Sequence, residues 1–240
     1  MRTLKSISVF LLALVATSCN FDMLVNQETG NGNVVTKTRN VSENFSGVRG
    51  SSGLDVFLEQ GDEVKVVVEA DENLHEFIET EVINGVLKIR TSKNINRAKS
   101  KKVYVTFVSL DNVEASSGAD VIVTDIIRGE TLDISSSSGA DLEIEVDARD
   151  LTAKTSSGAD IKLSGRAKYF SADASSGSDL NAKNLQVDKC RAEASSGADI
   201  IVNVANSLDA KASSGGDIRY YGDPVTVNKK DGHSSAIRKM

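Results

Sequence analysis

Through the second half of the chain apolar and polar positions alternate, and the alternation restarts every time a Ser-Ser-Gly triplet is passed. Counting from the glycine, the odd positions around Gly158 are Leu151, Ala153, Thr155, Ser157, Ala159, Ile161 and Leu163. Around Gly177 they are Phe170, Ala172, Ala174, Ser176, Ser178, Leu180 and Ala182, and around Gly197 they are Cys190, Ala192, Ala194, Ser196, Ala198, Ile200 and Val202. The even positions are polar: Lys154, Ser156, Gly158, Asp160 and Lys162 in one copy, Lys211, Ser213, Gly215, Asp217 and Arg219 in another. A period of two is the signature of a β-strand with one buried and one solvated face, so each copy is read as strand, with the odd positions inward.

The triplet belongs to a longer repeat. Ser-Ser-Gly-x-Asp occurs seven times, with its glycine at Gly53, Gly118, Gly139, Gly158, Gly177, Gly197 and Gly215, and from Gly118 onward the spacings are 21, 19, 19, 20 and 18 residues. Ser234-Ser235-Ala236 lies one period further on and reads as a degenerate eighth copy. A single rung cannot bury its own apolar face, whereas rungs stacked in register build a continuous core. The expected fold is therefore all-β, a parallel β-helix with rungs of about 20 residues. The small inward residues next to each glycine are compatible with a thin, flat cross-section or with a sharp bend there.

Residues 59–112 interrupt the repeat. Val64, Val66 and Val68 are expected in a strand, Asp71 as the cap of a short helix running to Phe77, Asn84-Gly85 as a type I′ hairpin turn, and Lys101 to Val108 as a returning strand. This β-rich segment is expected to pair beside the first rung and cover its edge.

The start of the chain adds a location. Arg2 and Lys5 precede an apolar stretch from Ile7 to Ala16, too short for a membrane-spanning helix but suited to a secretory signal. It ends in Ala16-Thr17-Ser18-Cys19, which resembles a bacterial lipobox, although Ala16 stands where leucine is usual. Residues 1–18 are thus expected as a lipoprotein signal, Cys19 as the lipidated residue, 19–37 as the lipidated cysteine and a flexible spacer centred on the run from Asn26 to Asn33, and 38–240 as the folded body, with regular rungs over 113–240. The alternative is an ordinary secretory signal with an incidental cysteine. Cys19 and Cys190 are the only cysteines, so a lipidated Cys19 leaves Cys190 without a disulfide partner. Asn20, where aspartate would retain a lipoprotein at the inner membrane of some Gram-negative bacteria, points to the outer membrane.

Composition narrows the chemistry. The net charge is −6 and no block of Lys and Arg stands out, which argues against nucleic acid as a partner. Aromatic residues make up only 5% of the 240, so the core must be built from small and branched side chains, and Tyr220-Tyr221 is the one aromatic pair that reads as lying outside it. The candidate site is the outward ladder of Asp55, Asp120, Asp141, Asp160, Asp179, Asp199 and Asp217, flanked by the first serine of each triplet. Carboxylates about 4.8 Å apart repel, so they either splay into solvent, bond backbone N–H groups or share a cation, for which calcium is the natural choice. No other cofactor is expected. Catalysis needs residues that differ from their neighbours, yet here the acids are copied on every rung. His75 and His233 read as surface residues, and Cys190 falls in the column held by Leu151 and Phe170, where a buried inert thiol is expected. Repeated serine has no base beside it in sequence. A polysaccharide-active β-helix enzyme is the rival class, and a purely structural envelope spacer a third.

Taken together, the residues from about Thr38 onward resemble the family called "Putative auto-transporter adhesin, head GIN domain", a bacterial cell-envelope domain. The likeness rests on Arg39-Asn40-Val41 to Phe45, Leu54 to Gly61, Val66 to Ala70, Asn84 to Ile89 and the Ser-Ser-Gly-x-Asp copies. The resemblance implies a secreted or lipid-anchored, right-handed β-helical body and carries no catalytic or binding residue. The expectation is a non-catalytic, adhesin-like or scaffolding lipoprotein, held to the membrane by its lipid anchor, whose partner is a glycan or an envelope protein.

Overall fold

The structure, a computed structural model, describes residues 27–41 and 44–240. Their dominant elements are five long strands, Asp120–Ser137, Asp141–Ser156, Asp160–Ser175, Asp179–Ala194 and Asp199–Ala212, each bent around one rung and paired in parallel with the next. The result is a parallel β-solenoid. Among the described residues sixteen strands join one continuous sheet, and Gln27–Thr29 with Asn94–Arg97 form a separate pair.

The repeat produces this register directly. Val56, Val121, Leu142, Ile161, Leu180, Ile200, Ile218 and Ile237 are aligned residue for residue from rung to rung, and so are Leu132, Leu151, Phe170, Cys190 and Leu208. All are buried. Each fully buried Leu, Ile or Phe contributes roughly 1.5–3 kcal/mol, and only neighbours above and below supply that burial.

The corner at the triplet is a bend. The second serine and the glycine both have positive φ, +57° and +67° at Ser157 and Gly158, and the Ala159 N–H donates to the Ser156 carbonyl at 3.3 Å. Two left-handed central residues closed by such a bond make a type I′ turn. This turn shifts the phase of the alternation, so Ser157, Ser176 and Ser196, expected inward, are exposed, while the remaining inward positions are buried. The left-handed backbone lifts the serine off the core that simple alternation would have given it.

Residues 47–112 start the stack. Gly47–Gly50 and Asp55–Gln60 form the first partial rung, on which Val86–Thr91 and Lys101–Phe107 pair in parallel. Ile78–Ile83, Lys65–Asp71 and Val34–Arg39 then continue antiparallel and cover the edge. Asn84 and Gly85 have φ of +53° and +76° and join their strands as a type I′ hairpin. Val64 lies before its strand and is 41% exposed.

Two expectations in this region change. The short helix is a single 3-10 turn, Glu72–Leu74, and Asp71 makes no side-chain cap to it. Instead the buried Asp71 carboxylate accepts backbone N–H bonds from Gly32 at 2.8 Å and from Lys99 and Ser100 at 3.0 Å each. Nor is the chain from Gln27 onward a free spacer: Gln27–Thr29 pairs with Asn94–Arg97, Lys93 bonds Glu28, and Asp71 holds the loop that follows. Three N–H groups on one carboxylate outweigh the entropy of a polar loop.

The far end closes differently. Thr226–Asp231 and Ala236–Lys239 form the last rung. In the inward column of Ala153, Ala172, Ala192 and Ala210 the next residue is Lys229, whose Nζ lies 4.8 Å from the centre of the Tyr220 ring and 3.4 Å from the Ile237 carbonyl oxygen. A lysine stem thus covers apolar surface while its charge ends the column.

Candidate functional site

Successive triplet corners are tied together by their own backbone. The glycine N–H donates to the left-handed serine carbonyl of the following rung, 3.1 Å from Gly118 to Ser138 and 3.2 Å from Gly158 to Ser176. The aspartate N–H donates back, 3.0 Å from Asp141 to Ala119 and 3.0 Å from Asp160 to Ala140. Side chains beneath the corner brace it: Ser136 and Thr155 donate to the carbonyls of Ala140 and Ala159 at 2.8 and 2.9 Å. These bonds fix the position of what projects outward.

All seven aspartates fall into one outward column, Asp55, Asp120, Asp141, Asp160, Asp179, Asp199 and Asp217, each paired in register with the next. Their environments differ along the rod. Asp199 is paired with Arg219 at 3.2 Å, and Asp217 accepts the Ala236 N–H at 2.9 Å. Asp55, Asp120, Asp141, Asp160 and Asp179 have no ion pair or side-chain hydrogen bond among the described residues. Partial burial and then the charges of Asp141 and Asp55 push the Asp120 carboxyl above its ordinary value against the pull of Lys101. Partial burial followed by Asp160 and Asp199 does the same at Asp179, with Arg219 opposing. Like charges spaced by one strand therefore remain unrelieved in the middle of the ladder.

The ladder does not converge on a metal. Among the described residues no group of three or more His, Cys, Asp or Glu could hold an ion, because each rung contributes one carboxylate to a line rather than several to a shell.

The next outward column holds what the sequence reading missed. Val67, Tyr104, Phe57 and Ile122 stand side by side on four neighbouring strands, followed by Glu143 and Lys162. The Phe57 and Tyr104 rings stack at 5.2 Å between centres and 19° between planes, and Tyr104 is 38% exposed. The signal was present, since Phe57 lies between the inward Val56 and Leu58, and Tyr104 between Val103 and Val105, but their adjacency depends on the pairing of strands 47 residues apart. A cleft of about 230 Å³ borders Ile122 and is lined by Asp120, Asp141, Glu143, Asp160 and Lys162. On the other side of the corner a shallow groove of about 570 Å³ runs past the first serines from Ser137 to Ser213.

Other candidate residues settle into structural roles. His75 is buried, not superficial: its Nε2 donates to the Val35 carbonyl at 3.0 Å, and burial, with Lys37 and Arg39 nearby, lowers its pKa and keeps it neutral. His233 is exposed. Tyr220 is buried in the strand Asp217–Tyr221, beneath Ala236–Lys239, and Tyr221 is half-buried, so that pair does not form an outer patch. The Cys190 thiol is pushed up to about 12 by burial, which makes it unreactive. Cys19 lies outside the described residues.

With this geometry in view, the comparisons with known proteins agree. The sequence profile of the family "Putative auto-transporter adhesin, head GIN domain" matches residues 44–224. The chain belongs to that family. None of the curated proteins matches it. Among solved structures it is similar to a "putative adhesin" from Bacteroides fragilis NCTC 9343, with a TM-score of 0.83 and 20% identity over 89% of this chain and 100% of that one. It is also similar to a "Putative lipid binding protein" from Parabacteroides distasonis ATCC 8503, TM-score 0.73, 21% identity, covering 89% and 99%. A "putative adhesin" from Parabacteroides merdae ATCC 43184 aligns with a TM-score of 0.69 at 20% identity, covering 90% and 100%. At these identities the likeness to the solved structures shows the shared solenoid fold, and the family gives the chain its adhesin-like character.

Proposed function

We propose that this head GIN protein is a non-catalytic lipoprotein of the bacterial outer membrane, anchored through Cys19, that binds an external or envelope partner with the face beside its Ser-Gly-Asp corners. The observation that carries the reading is the register of seven aspartates in one outward column, five of them without an ion pair or side-chain hydrogen bond among the described residues. The corner does not use those carboxylates, because it is closed and tied to its neighbours by backbone N–H groups and braced by the inward hydroxyls of Ser136 and Thr155. Identical acids on every rung favour repeated contact over catalysis, which requires a local departure from the repeat. The short apolar stretch before Cys19 supports export and anchoring.

Two measurements test this. Labelled palmitate is incorporated by the native chain and not by Cys19→Ala if the anchor is right. The full chain retained on isolated envelopes or immobilised mucin loses about tenfold in affinity when Asp120, Asp141, Asp160 and Asp179 are changed to Asn. Unchanged retention overturns the binding face.

A further inference from the structure

The proposed binding face has a partner chemistry of its own. Val67, Tyr104, Phe57 and Ile122 form an outward apolar row crossing four strands, about 15 Å wide at the usual strand spacing. In the next column Glu69, Lys102, Asp55 and Asp120 stand abreast of them, and the acidic ladder then continues through Asp141 and Asp160. The cleft of about 230 Å³ joins the two, with Ile122 on one wall and four carboxylates, Asp120, Asp141, Glu143 and Asp160, around it against the single cation Lys162. An apolar row alone would accept many occupants, and an acidic row alone would attract any cation. Side by side they select one that carries both apolar and positive groups. The stacked rings cover one another's faces, which leaves less ring face for a sugar to lie against, and the sheet face offers carboxylates where a peptide offers ammonium or guanidinium groups.

We infer that the face formed by Phe57, Tyr104 and Ile122 with Asp120, Asp141 and Asp160 binds a basic amphipathic polypeptide segment, its apolar side chains on the ring row and its Lys or Arg groups along the ladder. Such a segment supplies the cations that the unpaired middle of the ladder lacks, and the two surfaces fix its orientation. This inference rests on the binding reading above and specifies its partner.

Three labelled probes separate the contributions in the full chain: a synthetic peptide of Lys and Leu, one of Lys and Ser with the same charge, and one of Glu and Leu. Fluorescence anisotropy is expected to show the Lys/Leu peptide binding about tenfold more tightly than Lys/Ser, with no binding of Glu/Leu. Phe57→Ser with Tyr104→Ser removes the advantage of Lys/Leu and leaves Lys/Ser unchanged. Asp120→Asn with Asp141→Asn and Asp160→Asn weakens both basic peptides, and so does added salt. If the double ring variant melts early, Tyr104→Ser alone, at an exposed position, gives the same comparison. Equal binding of Lys/Leu and Lys/Ser, or no peptide binding, overturns the inference. So does cellohexaose binding that is lost in the ring variant, which assigns the face to a glycan. Retention on mucin or envelopes alongside absent peptide binding removes this inference and leaves the binding reading standing; loss of both removes the two together.

Discussion

At the triplet corner Gly118, Gly139, Gly158, Gly177 and Gly197 have φ between +66° and +73°, and a Cβ on any of them would meet no atom within 4 Å. Elsewhere in the rung Gly165 has φ of +101° and a Cβ there would lie 2.0 Å from the Val146 carbonyl oxygen; Gly222, at +90°, comes as close to Val204, at 2.2 Å. One set of glycines is required for backbone conformation, and the other also for space. The corners also differ in regularity. Pairing is unbroken at the aspartates, whereas register slips fall between Ile122 and Ile126, Lys162 and Ser164, Ala182 and Gln186, and Val187 and Lys189. Variation in rung length is absorbed away from the triplet, which keeps the ladder aligned while the rung changes size.

That contrast can be broken experimentally. The largest effect is expected at Gly165: Gly165→Ala combines an unfavourable φ with a backbone clash and lowers unfolding free energy by about 3 kcal/mol or more, read by urea denaturation. A loss as small as that at the triplet would erase the distinction between space and conformation. Next is Asp71→Ala, which strands three backbone N–H groups and costs roughly 2–3 kcal/mol, with faster proteolysis of the residues before Val34. Burial raises the Asp71 carboxyl, but the N–H bonds from Gly32, Ser100 and Lys99 outweigh it, so its folded pKa lies below the ordinary value. Its stabilisation is therefore complete above the unfolded pKa, about 3.9, and is lost as pH falls through the folded one, and hydrogen exchange should show the 27–33 segment opening in acid. Gly158→Ala should cost about 1–2 kcal/mol, from conformation alone, while Ser157→Gly stabilises by up to about 1 kcal/mol, since φ is +57° there. Calcium titration is the smallest: no shift in melting temperature is expected, because the carboxylates are arrayed singly.

The sequence shows the corner plainly because every element of it is local. Ser-Ser-Gly-x-Asp contains the turn residues, the phase change and the ladder residue within five positions, and repetition sets the register. Gly165 carries no such mark, as its crowding comes from Val146 on the preceding rung. Distance along the chain also hides the Phe57–Tyr104 stack and the Asp71 clamp, where Gly32, Lys99 and Ser100 converge from two separate segments. Alternation misplaced Ser157 because it treats the chain as straight through a residue whose backbone turns left-handed. What depends on period is legible in one dimension, and what depends on which strand lies next to which is not.

The lysine at the end of the alanine column has a consequence for how long the molecule can be. From Ala153 to Ala210 each rung offers its successor an apolar alanine in this column, after Val48, Val113 and Ile134 in the earlier ones, and a template that copies itself has no natural length. Lys229 interrupts the copying with an ammonium group that a further hydrophobic rung would have to strip of water. Rungs can be gained or lost by duplication upstream of that residue without altering the terminus, so a lineage can lengthen or shorten the rod while each individual molecule remains finite.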